Sequence, residues 1–301
     1  MANWKEIKRR IGSIKNTAKI TKAMELISTV KMKKAQDLAI EKKEYITWIL
    51  KVIMNLNDSL AENAFFNKKA NSWKTLWIII TSNKWLCWGY NINVMKKVNE
   101  YMNVNDEKID FVTLWKRGSQ FIARTGNQIV ADFSEDFTDN IDYNFSKNAS
   151  RLISEKFIKE GYDKVVVFYN YYKNTISQIP VSRGFLPLTD ESIEKYFAAT
   201  LWEEYDESNH KDETYKYTVE PSIDELVEEV LPMLIDSMFY DILIESKASE
   251  HSSRMIAMKN AKDNANKFAS KLQLQYNKAR QASITKEISE IVGWVESMKD
   301  V

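Results

Sequence analysis

Residues 7–36, IKRRIGSIKNTAKITKAMELISTVKMKKAQ, contain the apolar repeat that decides the fold. Its first members follow one another at alternating steps of four and three residues: Ile7, Ile11, Ile14, Ala18 and Thr21. This is the spacing of a coiled coil, in which one face of a helix packs against a second helix. Further apolar residues are expected to prolong that face: Ile20, Met24, Ile27, Val30 and Leu38. The repeat predicts one long helix from about residue 3 to about residue 60, which needs a partner.

The other end of the chain carries a matching repeat, which begins after Ser222. Its members are Leu234, Met238, Ile242, Ile244, Ala248, His251, Met255, Met258, Ala261, Ala265, Phe268, Leu272, Tyr276, Ala279, Ser283, Ile288 and Val295. Two repeats of the same period at opposite ends predict an antiparallel coiled coil between the two termini. The C-terminal helix is the longer one, so we expect its last turns to extend beyond its partner.

The middle of the chain has a different pattern. Most of the 7 glycines and 4 prolines lie there, which leaves both ends almost without helix breakers. Strand-like runs occupy 75–81, 108–115, 164–169 and 175–181, the last ended by Pro180, and helix-like runs occupy 91–102 and 139–160. This alternation predicts a small, largely parallel α/β sheet of Rossmann-like outline. The expected domains are residues 1–62, a helix; 63–221, the α/β domain; and 222–301, the second helix.

The sequence argues against catalysis by this chain. Neither GxGxxG after the first strand nor GxxxxGK[ST] occurs, so no nucleotide site is supported. Cys87 is the only cysteine and has no histidine near it in sequence, so we expect a packing thiol. His210 and His251 are the only histidines, too few for a histidine-rich metal site, and we expect His251 in the helix core.

Charge is balanced overall but uneven along the chain. The net charge of +1 argues against a generally basic nucleic-acid coat. Residues 203–230 are strongly acidic, whereas residues 1–36 are strongly basic. Because of its basic charge, the first helix could bind a membrane surface, nucleic acid or an acidic protein. Neither a secretory signal nor an apolar run long enough to cross a bilayer is visible, which predicts a cytoplasmic protein.

Three segments resemble the gamma subunit of F-type ATP synthases. They are residues 7–36, quoted above, residues 245–265, ESKASEHSSRMIAMKNAKDNA, and residues 276–293, YNKARQASITKEISEIVG. Weaker similarity covers residues 81–91, TSNKWLCWGYN, and the pair Glu220-Pro221. The resemblance implies a rotor shaft made by the terminal helices inside a ring of three alpha and three beta subunits. It also implies that the α/β domain is a foot, which contacts an epsilon-type subunit and the membrane rotor ring.

The resemblance also implies where the chain works. Mg-ATP binds the ring subunits, this chain has no cofactor of its own, and the complex lies on the cytoplasmic face of the membrane. The expected contacts with the ring are Lys22, Met24, Arg280, Gln281, Thr285 and Glu290. The expected foot interface is Trp85, Trp88 and Glu220. No nucleic-acid partner is expected.

Several tryptophans depart from the family pattern. Where the family reads GLCGGYN, this chain has tryptophan at 85 and 88; Trp294 replaces a second small residue, and Trp115 falls near another usual glycine. The many lysines, asparagines and isoleucines indicate an AT-rich genome, and one base change links a glycine codon to a codon that some genetic codes read as tryptophan. The two foot tryptophans either pack inward or form a partner surface, and the second choice predicts an F-like ATPase with a specialised output such as motility. An alternative of another class is a coiled-coil scaffold or nucleic-acid-binding protein.

Overall fold

The computed structural model describes residues 4–54, 65–66, 72–104, 107–135, 142–189 and 222–298. The expected foot residue Glu220 lies outside this described part of the chain. The elements follow in chain order: α1 (Trp4–Met54), β1 (Lys74–Ile80), a 3₁₀ turn (Trp85–Cys87), α2 (Trp88–Met102), β2 (Lys108–Leu114), α3 (Lys116–Thr125), β3 (Ile129–Asp132), α4 (Tyr143–Lys159), β4 (Lys164–Tyr172), β5 (Gln178–Leu186) and α5 (Ile223–Ser297). Two long terminal helices and a central sheet confirm the predicted fold class.

The chain divides into two compact units. The coiled-coil unit consists of Met1–Thr29 and Arg254–Val301, and the α/β unit consists of Val30–Ser253. The helices α1 and α5 each contribute to both units. Each unit has its own packing, described separately below.

In the coiled-coil unit, α1 and the later part of α5 run antiparallel. The Lys262 ammonium lies 2.7 Å from Glu25 Oε2, and the Trp4 and Tyr276 rings meet edge to face with centroids 6.0 Å apart. Numbers therefore rise along one helix as they fall along the other. The buried seam residues are mostly small: Ile11, Ala18, Thr21 and Ser28 on α1, with Met258 and Ala269 on α5. Small side chains let two helix backbones approach closely, while methionine fills the remaining gaps.

Part of the predicted seam is wrong. Ile20, Ile27 and Val30 are exposed, whereas the first repeat continues in register through Ser28 and then Met32 and Ala35. The apolar residues that seemed to prolong the repeat begin one position out of register, which turns them about 100° away from the seam. On α5, Phe268 is likewise exposed, and the neighbouring Ala269 is buried instead. Ile288 and Val295 are exposed on the part of α5 that was expected to extend beyond its partner.

The α/β unit is built on a five-stranded sheet of order β3-β2-β1-β4-β5. The first four of these strands are parallel, and β5 pairs antiparallel with β4 at the edge. Side chains of β1 alternate between the two faces, with Leu76, Ile78 and Ile80 on one and Trp77 and Ile79 on the other. The first face packs against α4 and portions of α1 and α5, and the second packs against α2 and α3.

Three details of the sheet differ from the sequence-based expectation. The short strand β3 and the helix α3 were not predicted, because each is brief and β3 is only half-buried. The last strand does not end at Pro180 but continues to Leu186. Proline is accommodated there because β5 is an edge strand, where a missing N–H leaves no neighbouring strand unpaired.

Among the described residues, no helix combines the length and the apolar character needed to cross a membrane. This holds for both terminal helices, although each is far longer than 20 residues.

Candidate functional site

Three surfaces of the described chain carry the residues that the sequence singled out. They are the end of α5, a segment of α1 and the turn that follows β1. Within the described ranges no cluster of three or more His, Cys, Asp or Glu side chains could hold a metal ion.

The tip, defined as residues 277–298 of α5, extends past the contact between Trp4 and Tyr276. Its predicted contact residues are all exposed: Arg280, Gln281, Thr285 and Glu290. At about 100° per residue, the first three lie within an arc of about 140°, and Glu290 lies about 80° to the other side of Arg280. The four residues therefore surround the helix rather than forming one face.

Weak local contacts hold the charged groups of the tip. The Arg280 guanidinium lies 5.9 Å from the centre of the Tyr276 ring, and Glu290 lies 3.6 Å from the Lys286 ammonium. Exposed apolar side chains surround them: Ile284, Ile288, Ile291, Val292, Trp294, Val295 and Met298. Exposed charge pairs of this kind contribute roughly 0–1 kcal/mol, so these groups can exchange partners at little cost.

The contact residues of α1 lie at another level. Lys22 is exposed and Met24 is half-buried, next to Glu25 and its ion pair with Lys262. The 18 residues between Lys262 and Arg280 correspond to roughly 27 Å along the helix. The structure therefore does not bring the α1 residues and the tip residues together into one site, but places them at two levels of the coiled-coil unit.

The turn after β1 is held by a buried polar network. Asn91 Oδ1 accepts hydrogen bonds from the backbone N–H of Ser82 at 3.0 Å and from its hydroxyl at 3.0 Å. The Cys87 thiol is buried and donates to Ser82 Oγ at 3.3 Å, which confirms the predicted packing role. These bonds fix the backbone that carries Trp85 and Trp88.

Both tryptophans of this turn are exposed. Their ring centroids are 5.3 Å apart, and the Arg117 guanidinium lies 4.2 Å from the centre of the Trp85 ring. The alternative that they pack inward is therefore wrong. Whether a partner covers them stays a prediction.

Sequence reasoning missed a half-buried acid in the α/β unit. The Tyr169 hydroxyl donates to Glu245 Oε2 at 2.8 Å, and burial raises the pKa of Glu245 to about 8, although Arg183 lowers it and Asp241 raises it further. Nearby in sequence, Lys247 and Glu250 form a buried ion pair of 2.8 Å, and the same ammonium lies 4.0 Å from the centre of the Trp115 ring. The sequence signal that could have revealed these polar side chains is a run of polar residues on a helix face that is otherwise apolar. His251 is buried in the same helix, as predicted.

Solved structures share the fold of this chain, two long terminal helices and a central sheet. A chain of the Euglena gracilis mitochondrial ATP synthase (OSCP/F1/c-ring, rotational state 3) is 16% identical, with a TM-score of 0.64 over 98% of this chain and 94% of that one. A chain from the central stalk/c-ring structure of the Tetrahymena thermophila mitochondrial ATP synthase is 23% identical. Its TM-score is 0.55, and the match covers 80% of this chain and 99% of that one. These likenesses show that the chain shares its fold with chains of these ATP synthase complexes.

Sequence relatives are more specific. The family profile described as ATP synthase matches residues 3–298. The ATP synthase gamma chain of Cytophaga hutchinsonii is 32% identical over 100% of both chains, and that of Flavobacterium psychrophilum is 35% identical over 99% of this chain and 100% of the relative. The chain belongs to the ATP synthase gamma chain family.

Proposed function

We propose that this chain is the central rotor shaft of an F-type ATPase, coupling ATP synthesis or hydrolysis in a ring of three alpha and three beta subunits to its own rotation. The observation that best supports this is the full-length match to gamma chains, at 32% and 35% identity in the two relatives above. The antiparallel coiled coil, which is the mechanical part of such a shaft, supports it independently.

Rotation and nucleotide state are linked through the asymmetry of the shaft. Each orientation of the shaft favours a different state of the three beta sites. The linkage is a coupling free energy and is reciprocal: nucleotide binding turns the shaft, and a forced turn changes nucleotide affinity. A two-helix coil suits this role, because torsion at one end is carried along both backbones.

The contacts with the ring lie at two levels. Lys22 and Met24 serve the lower level, and the tip serves the upper one. A turning shaft must release each contact as easily as it forms it, and weakly held polar groups such as Arg280 and Glu290 meet that requirement. The exposed apolar side chains of the tip give a non-directional surface that can slide within the ring.

The remaining partners follow from the same function. Mg-ATP is bound by the ring subunits, and this chain takes part in hydrolysis only through its orientation. The α/β unit contacts an epsilon-type subunit and the membrane rotor ring, so the complex lies on the cytoplasmic face of the membrane. No nucleic acid takes part.

Reconstitution with alpha and beta subunits tests the proposal. The full chain should form a complex with the ring and support ATP hydrolysis. The double variant Arg280→Ala, Gln281→Ala should assemble but lower the turnover several-fold, whereas Lys173→Ala, an exposed change in the α/β unit, should leave turnover unchanged. Failure of the full chain to associate with any alpha–beta ring would contradict the proposal.

A second candidate, an F-like ATPase with a specialised output, is favoured by one observation. The exposed Trp85–Trp88 pair, with Arg117 beside it, is a surface of the kind that anchors protein interfaces. In that case the native complex would co-purify with unfamiliar partners instead of a membrane rotor ring. The identity of the side chains on this turn is therefore decisive.

A further inference from the structure

Positive backbone φ angles mark unusual positions in this chain. Among the described residues, four have such an angle: Gly126 at 76°, Gly161 at 75°, Trp73 at 53° and Trp115 at 70°. Two are glycines, as expected, because only glycine adopts these conformations without a clash at Cβ. Both of the others are tryptophan, the bulkiest residue.

Trp115 is the more extreme case. It joins β2 to α3 with φ 70° and ψ 149°, close to a region that is essentially reserved for glycine. The next turn packs tightly, since the Gly118 N–H donates to Thr81 Oγ1 at 2.8 Å and a Cβ on Gly118 would lie 3.2 Å from that oxygen. The backbone path from β2 into α3 is thus fixed by its surroundings, and a side chain at 115 has to accept it.

Trp73 is held in the same way. Its N–H donates to Asp163 Oδ2 at 2.7 Å, and its carbonyl accepts from the Lys108 N–H at 2.9 Å. The indole itself is 78% exposed, so burial of the ring does not compensate the unfavourable φ. The position is determined by its backbone and makes no use of the aromatic side chain.

The Trp115 ring is buried in the core of the α/β unit, with the Lys247 ammonium 4.0 Å from its centre. Three other tryptophans are exposed. Trp85, Trp88 and Trp294 are 40%, 64% and 70% exposed, and each stands where the resemblance to gamma subunits puts a glycine or another small residue. Trp77 is the contrast: it is buried in β1, with its ring centroid 4.8 Å from that of Phe168 and 5.7 Å from that of Phe111.

The amino-acid composition shows an unusually low glycine content. The chain has 7 glycines and 9 tryptophans in 301 residues. At the usual share of roughly 7%, a chain of this length carries about 21 glycines. The chain is thus short of glycine, and five of its tryptophans either have a positive φ angle or stand where the resemblance to gamma subunits puts a small residue.

We infer that the codons behind positions 73, 85, 88, 115 and 294 are read as glycine in the cell that makes this protein, and that the working chain has glycine there. A tryptophan codon and a glycine codon differ in the first base only, and one codon can carry different meanings in different genetic codes. The backbone at 73 and 115 then has the residue it requires. The turn after β1 loses its aromatic surface, which removes the support for a specialised foot and leaves the ordinary rotor shaft.

Mass spectrometry of the native protein, purified from its own cells, tests the inference directly. The tryptic peptide 85–96 (WLCWGYNINVMK) should be lighter by twice the mass difference between tryptophan and glycine, and peptide 109–116 (IDFVTLWK) lighter by one such difference. Peptide 75–84 (TLWIIITSNK), which contains the well-packed Trp77, should keep the tryptophan mass. Tryptophan at 85, 88 and 115 in the native protein would overturn the inference.

A pair of variants tests its physical basis in protein made with tryptophan at all nine positions. Trp73→Gly should raise the melting temperature, because it removes an exposed ring from a positive-φ residue. The matched control is Trp48→Gly, which removes an exposed ring from the interior of α1 and should lower the melting temperature. A lower melting temperature for Trp73→Gly would show that the backbone at 73 does not favour glycine and would contradict the argument.

Discussion

Glu245 shows how a single residue of the α/β unit responds to its surroundings. It lies on α5, where most neighbouring residues are buried, and its carboxyl group accepts a hydrogen bond from the Tyr169 hydroxyl. Loss of water favours the neutral acid, which raises its pKa from 4.5 to about 8. The folded chain therefore holds a proton at neutral pH that the unfolded chain has released.

This linkage predicts the pH dependence of stability. Between pH 4.5 and about 8 the folded state binds more protons than the unfolded state, so the free energy of unfolding should fall as pH rises through this window. Glu245→Gln keeps the shape and removes the charge, and it should flatten that slope. Urea unfolding at several pH values measures it, with the exposed Glu155→Gln as control. Equal slopes in the two variants would contradict the assigned protonation.

Residues of this kind were beyond sequence reasoning. The buried positions of Cys87 and His251 were predicted, because each follows from a strand end or a repeat position. Tyr169, the hydrogen-bond partner of Glu245, is 76 residues away in sequence, and only the fold brings the two side chains together. The positive φ at Trp73 and Trp115 likewise depends on neighbouring strands and could not be derived from local pattern.

The coiled coil is the element on which the account depends most. Its period was predicted from the sequence, because steps of three and four residues mark one helix face, as in Ile11, Ile14, Ala18 and Thr21. Its continuation was misassigned, because small and polar residues such as Ser28 occupy seam positions while larger apolar residues stand beside them, exposed. Hydrophobicity alone favours the larger residues, whereas close helix approach favours the smaller ones.

A charge in this seam should weaken the coiled coil. Met258 is buried, and Met258→Lys places an ammonium there without a designed partner, at a cost of several kcal/mol. Phe268→Lys changes an exposed position of the same helix and should alter stability by less than about 0.5 kcal/mol. Thermal unfolding followed by circular dichroism compares the two variants. A normal melting temperature for Met258→Lys would show that residue 258 is not in the seam.

At the scale of the whole molecule, the tip can be separated from the fold. Its described side chains from Ile284 onward are exposed, so deletion of residues 284–301 should leave the melting temperature of the α/β unit unchanged. The same deletion removes Thr285 and Glu290 and should lower ATP turnover or torque in the reconstituted complex. Some rotation should remain, since the seam below the tip is intact. Normal turnover and normal torque together would contradict the assigned tip contacts.

Single-molecule rotation measures directly whether this chain turns inside the ring. Ile176→Cys in the exposed turn between β4 and β5 gives an attachment point for a bead, because the only native cysteine, Cys87, is buried. With the alpha–beta ring fixed to a surface and ATP supplied, the bead should turn in one direction in three steps per revolution. A ring that binds this chain and hydrolyses ATP while the bead stays at one angle would contradict the account.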